Sequence, residues 1–205
     1  MKTSGMFDPS AYGNQIASVL APHEGGGRLM PLAPAGPLPG EGLIRLRELT
    51  IPELFDDTPI AAQDFAECVR SALFLYLSDL DQSHAISQSI PTATGGFLHG
   101  IMHRQEPDFS NSKYWFRRVG SHEVFPALRL AALDVLAAKA AESANAGDLR
   151  AQIERRAQWD PFWFIDQCEA AGHGDAALEQ RLREIQRQEW QLLFDYCYRK
   201  AVGSD

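Results

Sequence analysis

At 205 residues, with 45% hydrophobic and 22% charged positions, the chain has the length and composition of one globular domain, with or without an extension. Its formal net charge of −8 argues against nucleic acid as a partner, which asks for a broad basic face. Nothing approaches ~18 uninterrupted apolar residues and "MKTSGMFDPS" lacks the apolar run of a signal peptide, so a soluble, cytoplasmic protein with no membrane partner is expected.

In chain order, residues 8–20 suit a short helix with Asp8 as N-cap and Pro9 at its first position. Residues 21–42, "APHEGGGRLMPLAPAGPLPGEG", are too dense in Gly and Pro for regular structure. Their Leu and Met residues suit an arm that wraps a surface. Residues 42–55 alternate apolar and polar at 43–49, open between a short strand and a helical turn. Residues 1–58 therefore read as an N-terminal helix plus a Gly/Pro-rich wrapping arm, and 59–205 as a helical domain.

From residue 59, apolar positions at 65, 69, 72, 73, 76, 77 and 80 form a stripe of helical period. A helix over 82–90 stops at Pro91, and Thr94 can cap another over 95–104 that ends before Pro107. Asp108 or Ser110 can cap the next, which Gly120 closes. An alanine-rich helix from 124 precedes others at 148–158, 160–171 and 175–202, the last spanning ~40 Å if unbroken. No βαβ alternation or fixed-period repeat appears, so the expected fold is all-α, a single-domain irregular bundle of seven or eight helices with an N-terminal arm. Cys68, Cys168 and Cys197 are far apart and form no CxxC pair, which predicts reduced, buried thiols.

Ionisable groups concentrate in "FLHGIMHRQEPDFSNSKYWFRRVGSH", residues 97–122. Residues 95–122 hold four Lys/Arg and two Asp/Glu, a local balance of +2 against −10 elsewhere, which suits a small anionic ligand. His99 and His103 are four apart and share a helix face, where both can ligate one metal or act as an acid/base pair. The spacing is that of H-E-x-x-H, but Gly100 stands where the glutamate base belongs, so no metalloprotease motif is present. His122 is a third candidate metal ligand, and His84, Glu106 and Asp108 are further donors. Zinc, nickel, iron or manganese suits such mixed nitrogen and oxygen sets. If 82–90 and 95–104 pair as a hairpin, His84 and Gln88 can face His99 and His103.

Glu106 is a candidate catalytic carboxylate, although a place near a helix N-terminus also accounts for it. Arg104 can hold a ligand carboxylate or phosphate, or tie two helices together through Glu106 and Asp108. Asn111, Tyr114, Trp115 and Arg118 recur at spacings of three and four and can line one cleft. Arg117 and Arg118 are adjacent and must diverge. Gly100 costs about 1 kcal/mol in a helix interior, which points to close approach by a ligand or, more commonly, a crossing helix. His23 and His173 sit among glycines and are assigned no role. The aromatic run Phe162, Trp163, Phe164 reads as packing. No phosphate loop, nucleophile elbow or paired nucleophile and base is present.

The string from Thr94 to Gly120 resembles a pattern, HGxxHRxEPDxxNxxYWxRRVG, that recurs in a family of uncharacterised bacterial proteins. "SHAISQSI" upstream and "DPFWFIDQCE" downstream extend the resemblance over roughly residues 80–200. It implies that these residues act as a unit, and it implies no reaction. "PDFSNSKYWFRRVG" is also similar to a helix of tetratricopeptide-type repeats, but one unit makes no solenoid. Two functional readings follow. The first is a His/Arg-rich pocket for a small anionic ligand, metal-dependent or catalytic or both. The second is a non-enzymatic interaction module, including a homodimer wrapped by the arm, in which the same charges form a structural ion-pair network.

Overall fold

The alternation at 43–49 resolves as helix. Leu43 and Leu46, three apart, are buried while Ile44 between them is exposed, a helical and not a strand pattern. The computed structural model describes residues 7–138, 144–171 and 175–204, and among these it shows eleven α-helices and no strand. They are α1 (Asn14–Leu20), α2 (Glu41–Glu48), α3 (Ile51–Leu54), α4 (Gln63–Tyr76), α5 (Leu80–Ser87) and α6 (Ala93–Gln105). There follow α7 (Phe109–Val119), α8 (Phe125–Ala137), α9 (Ala144–Glu154), α10 (Pro161–Ala171) and α11 (Ala176–Val202).

The all-α class stands, and the helix number exceeds the expected seven or eight. The excess comes largely from the N-terminal third. Segment 42–55 holds two helices, α3 being started by a capping box in which Thr50 and Glu53 satisfy each other's backbone N–H groups. The expected helix at 8–20 divides at Gly13, leaving a 3-10 turn capped by Asp8 and then α1. The long helix expected from 59 starts at Gln63, and the Ala61 and Ala62 N–H groups before it donate to the Ala201 carbonyl. It ends at Tyr76, and Ser78 at φ 59 turns the chain into α5. Thr92, not Thr94, caps α6; Asp108 caps α7 and Gly120 closes it at φ 66. The alanine-rich helix ends at Ala137; residues 139–143 and His173 lie outside the described residues.

Helix α11 is continuous for 27 residues and forms the spine. Its Trp190 is buried, stacks on Tyr76 and Phe194 at centroid distances of 4.5 and 5.1 Å, and donates its indole N–H to Ala72 O at 2.8 Å. Part of the Gly/Pro-rich segment lies along α11 of its own chain. Arg183, Gln186, Arg187 and Gln191 of α11 donate side-chain N–H groups to backbone carbonyls between Gly26 and Pro31. An irregular strand of backbone has carbonyls to satisfy, and one helix face satisfies them. All three cysteines are free and buried. No described helix is long and apolar enough to cross a membrane.

Helices α5, α6 and α7 form a layer in which α6 lies in the middle, every residue from Thr94 to Gln105 being buried. The glycine at 100 lets α7 come close. A Cβ there would stand 2.7 Å from the Phe116 ring, and Ser112 Oγ donates to Gly100 O at 2.7 Å. A crossing helix, not a ligand, fills the space.

Candidate functional site

Antiparallel packing of α6 and α7 turns two i,i+4 pairs into rungs. His99 meets Trp115, rings 4.2 Å apart, and one turn along His103 meets Asn111, whose Nδ2 lies 3.0 Å from Nε2 and 3.5 Å from Nδ1, against the ring and off both lone pairs. Helix α5 adds a third side: the His84 ring lies 4.6 Å from that of His99 and 5.5 Å from that of His103. One ring nitrogen from each of His84, His99 and His103 lies within 4.8 Å of the others. The expected hairpin therefore forms and brings His84 to the pair.

In His99 and His103 the Nδ1 atom has a partner that sets the tautomer. His103 Nδ1 stands 3.1 Å from Glu106 Oε2, so Nδ1 carries the proton and Nε2 keeps its lone pair. His99 Nδ1 lies 2.9 Å from Ser87 Oγ, whose hydroxyl can donate back to the His84 carbonyl at 3.4 Å while accepting from Nδ1. That leaves His99 Nε2 as an acceptor. Burial, followed by the neighbouring His103 and His84 rings, pushes the His99 pKa down to about 3. Burial also lowers that of His103, opposed by Glu106 and Asp108. Both imidazoles are thus neutral at ordinary pH, the form that ligates a metal.

Beyond the rungs, Arg118 lies over Trp115 at 5.6 Å and over Tyr114 at 5.9 Å, and both Arg118 and Tyr114 are exposed. They stand at the rim and reach the histidines only through Trp115. A cleft of about 190 Å³ opens beside Glu106, walled by Pro34, Gly36 and Pro37 of the arm and by Asp79 and Asp81.

Three expected members stand elsewhere. His122 is buried under α6, its Nδ1 accepting from Val124 N at 3.2 Å and its Nε2 donating to Thr94 Oγ1 at 3.1 Å, with Phe97, Phe125 and Tyr196 around the ring. Both nitrogens being used, it has no lone pair for the histidine cluster. Arg104 is fully buried on the opposite side of α6, pairing with Glu189 and donating to Gln186 Oε1 at 3.1 Å above the Phe164 ring. It bridges α6 to α11, not to Glu106 and Asp108. Gln88 is exposed at the C-cap of α5 and makes no approach to the rings. Ser87, which the sequence pattern passed over, takes its place because α5 presents positions 84 and 87 to α6.

The charge balance changes accordingly. Of the four cations in 95–122, Arg104 is spent on Glu189 and Lys113 on Asp166 at 2.6 Å, which leaves Arg117 and Arg118. Beside the histidines stand Asp81, Glu106 and Asp108, while Asp79 is already paired with Arg47 at 2.6 Å, so this ground favours a cation more than the sequence count suggested. No family model, curated protein or solved structure matches the chain.

Proposed function

We propose that the chain binds a divalent transition metal through His84, His99 and His103, and that the metal takes a small anionic ligand at its remaining positions. The observation that carries this reading is the convergence of three imidazole nitrogens, one from α5 and two from α6, within 4.8 Å. Zinc, nickel and iron suit imidazole, and the oxygen donors nearby extend the set to manganese. A metal about 2.1 Å from each nitrogen would draw them to roughly 3.0–3.4 Å apart. His84, half-buried and carrying no ring hydrogen bond, is the member free to supply that movement.

The outer contacts support the reading. Metal-bound histidines generally donate their second N–H to a carboxylate or another oxygen, which fixes ring and tautomer. Glu106 does this for His103 and Ser87 for His99. Glu106 is then a positioning residue and not the catalytic base that its neighbourhood first suggests. Three imidazoles leave a metal with open positions, and such a centre supports Lewis-acid chemistry on a bound anion or on water. Arg118, stacked on Trp115, stands where it can steer an anion toward that metal.

Elemental analysis and calorimetry with Zn(II) or Ni(II) test the proposal. One equivalent bound by the wild type, and lost in His99→Ala and His103→Ala variants that still melt cooperatively, is the expected result. A wild type that takes up no stoichiometric metal overturns it and favours the interaction-module reading.

A further inference from the structure

We infer that the cleft where α8 and α10 begin is a second ligand site, separate from the histidine cluster, and that it takes a small aromatic carboxylate. The cleft holds about 380 Å³, and none of His84, His99 and His103 lines it. Phe125, Trp159, Pro161 and Phe162 give it apolar, mostly aromatic walls, and Arg156 and Asp160 are the only charged residues in its lining. Apolar and aromatic walls with a few polar groups are the usual make-up of a small-molecule pocket of this size. Flat rings in the walls favour a flat ring in the ligand.

The two charges are not equally available. Asp160 is engaged within the chain: Oδ1 accepts from the Phe162 and Trp163 N–H groups at 3.0 and 3.1 Å, and Oδ2 accepts from Arg156 Nε at 3.2 Å. Arg156 is held in place but not saturated. Its Nη1 donates to the Gln152 carbonyl at 2.6 Å and its guanidinium lies 5.0 Å over the Trp163 ring, whereas Nη2 makes no bond within the chain. The backbone beneath it is fixed as well, since Arg129 donates to the carbonyls of Ile153, Glu154 and Arg156. A guanidinium already ordered by its neighbours loses little further freedom when a ligand arrives, so its remaining N–H groups can take a carboxylate oxygen at low entropic cost. Such a charge-assisted bond beside aromatic walls selects for a ring and an acid in one molecule.

Phenylacetate is the probe, with phenylacetamide and acetate as the ligands that lack the charge and the ring. Each is titrated into the protein with a chelator present, which keeps the histidine cluster empty, and backbone amide signals are followed by NMR. Phenylacetate should move the signals of Ser121, Gln158 and Phe162 saturably. The other two should bind at least tenfold more weakly, about the contribution of one hydrogen bond to a charged group. Arg156→Gln should abolish the preference for phenylacetate over phenylacetamide. No saturable shift with phenylacetate up to about 10 mM overturns the inference, as does equal affinity for acid and amide, or a response centred on other residues. Should Arg156→Gln fail to fold, the comparison of the three ligands on the wild type decides alone. None of these outcomes bears on the three-histidine site, whose own test is metal uptake.

Discussion

His103 Nδ1 and Glu106 Oε2 stand 3.1 Å apart at the C-terminal end of α6, the carboxylate being about a third exposed and the imidazole almost fully buried. The partly exposed Glu106 can be changed without opening the core. Glu106→Gln removes the charge and keeps an acceptor, so the ring stays oriented while its basicity falls. The expected outcome is unchanged melting of the metal-free protein and a 10–100-fold loss of Zn(II) affinity, read by calorimetric titration. Equal affinity in the two proteins would show that Glu106 caps a helix end and nothing more.

His122 should report on stability and not on metal. Its neutral tautomer is held by Val124 N–H on one nitrogen and Thr94 on the other, and burial pushes its pKa down to about 4. The unfolded chain, with an ordinary value near 6.5, therefore binds the extra proton first as pH falls. The stability this group contributes is complete above about pH 6.5 and is lost progressively toward pH 4. Between pH 7.5 and 4.5 the wild type should lose roughly 2 kcal/mol more than His122→Gln in denaturant titrations. Metal content should be the same in both.

How far the site could be read from the sequence follows from which contacts are local. The i,i+4 pairing of His99 with His103 is a property of one helix, and so was visible. The arrival of His84 depended only on a short hairpin across Pro91. Which residue beside His84 would face inward was not visible, because the crossing of α5 over α6 decides between Ser87 and Gln88. Arg104 sits within the same dense string and still faces away, since its partner Glu189 comes from α11, about 80 residues later in the chain, and His122 turns instead to Thr94 and Val124. Spacing within a string cannot show which side of α6 the last helix will occupy. The split of segment 42–55 into α2 and α3 was open for a similar reason: apolar alternation over seven residues fits either period until burial selects one.

The Arg104–Glu189 pair gives a test of that reassignment. Both side chains have no exposed surface, and Gln186 and the Phe164 ring also touch the guanidinium. Removing one member strands a buried charge. Arg104→Met should cost about 3–5 kcal/mol in chemical denaturation, while Arg104→Met combined with Glu189→Leu should recover most of it. Were Arg104 a ligand-holding residue, the single variant would keep its stability and lose anion binding instead.

Two glycines of α6 should respond in opposite directions to the same substitution. Alanine is favoured over glycine in a helix interior by about 1 kcal/mol, so each replacement starts with that gain. At Gly96 the added methyl would meet Val119 Cγ2 at 3.4 Å, an ordinary contact, and the gain survives. At Gly100 it would stand 2.7 Å from the ring of Phe116, which is itself fully buried against Phe97 with no room to withdraw. Overpacking of this kind costs about 1–3 kcal/mol and also pushes α7 outward. Because Trp115, which packs on His99, rides on that helix, Gly100→Ala should weaken Co(II) binding as well as lower the melting temperature. Pairing it with Phe116→Leu, which removes the obstructing ring edge, should restore both measurements together. A Gly100→Ala protein as stable as Gly96→Ala, with wild-type Co(II) affinity, would mean that the α6–α7 spacing does not set the rungs on which the site is built.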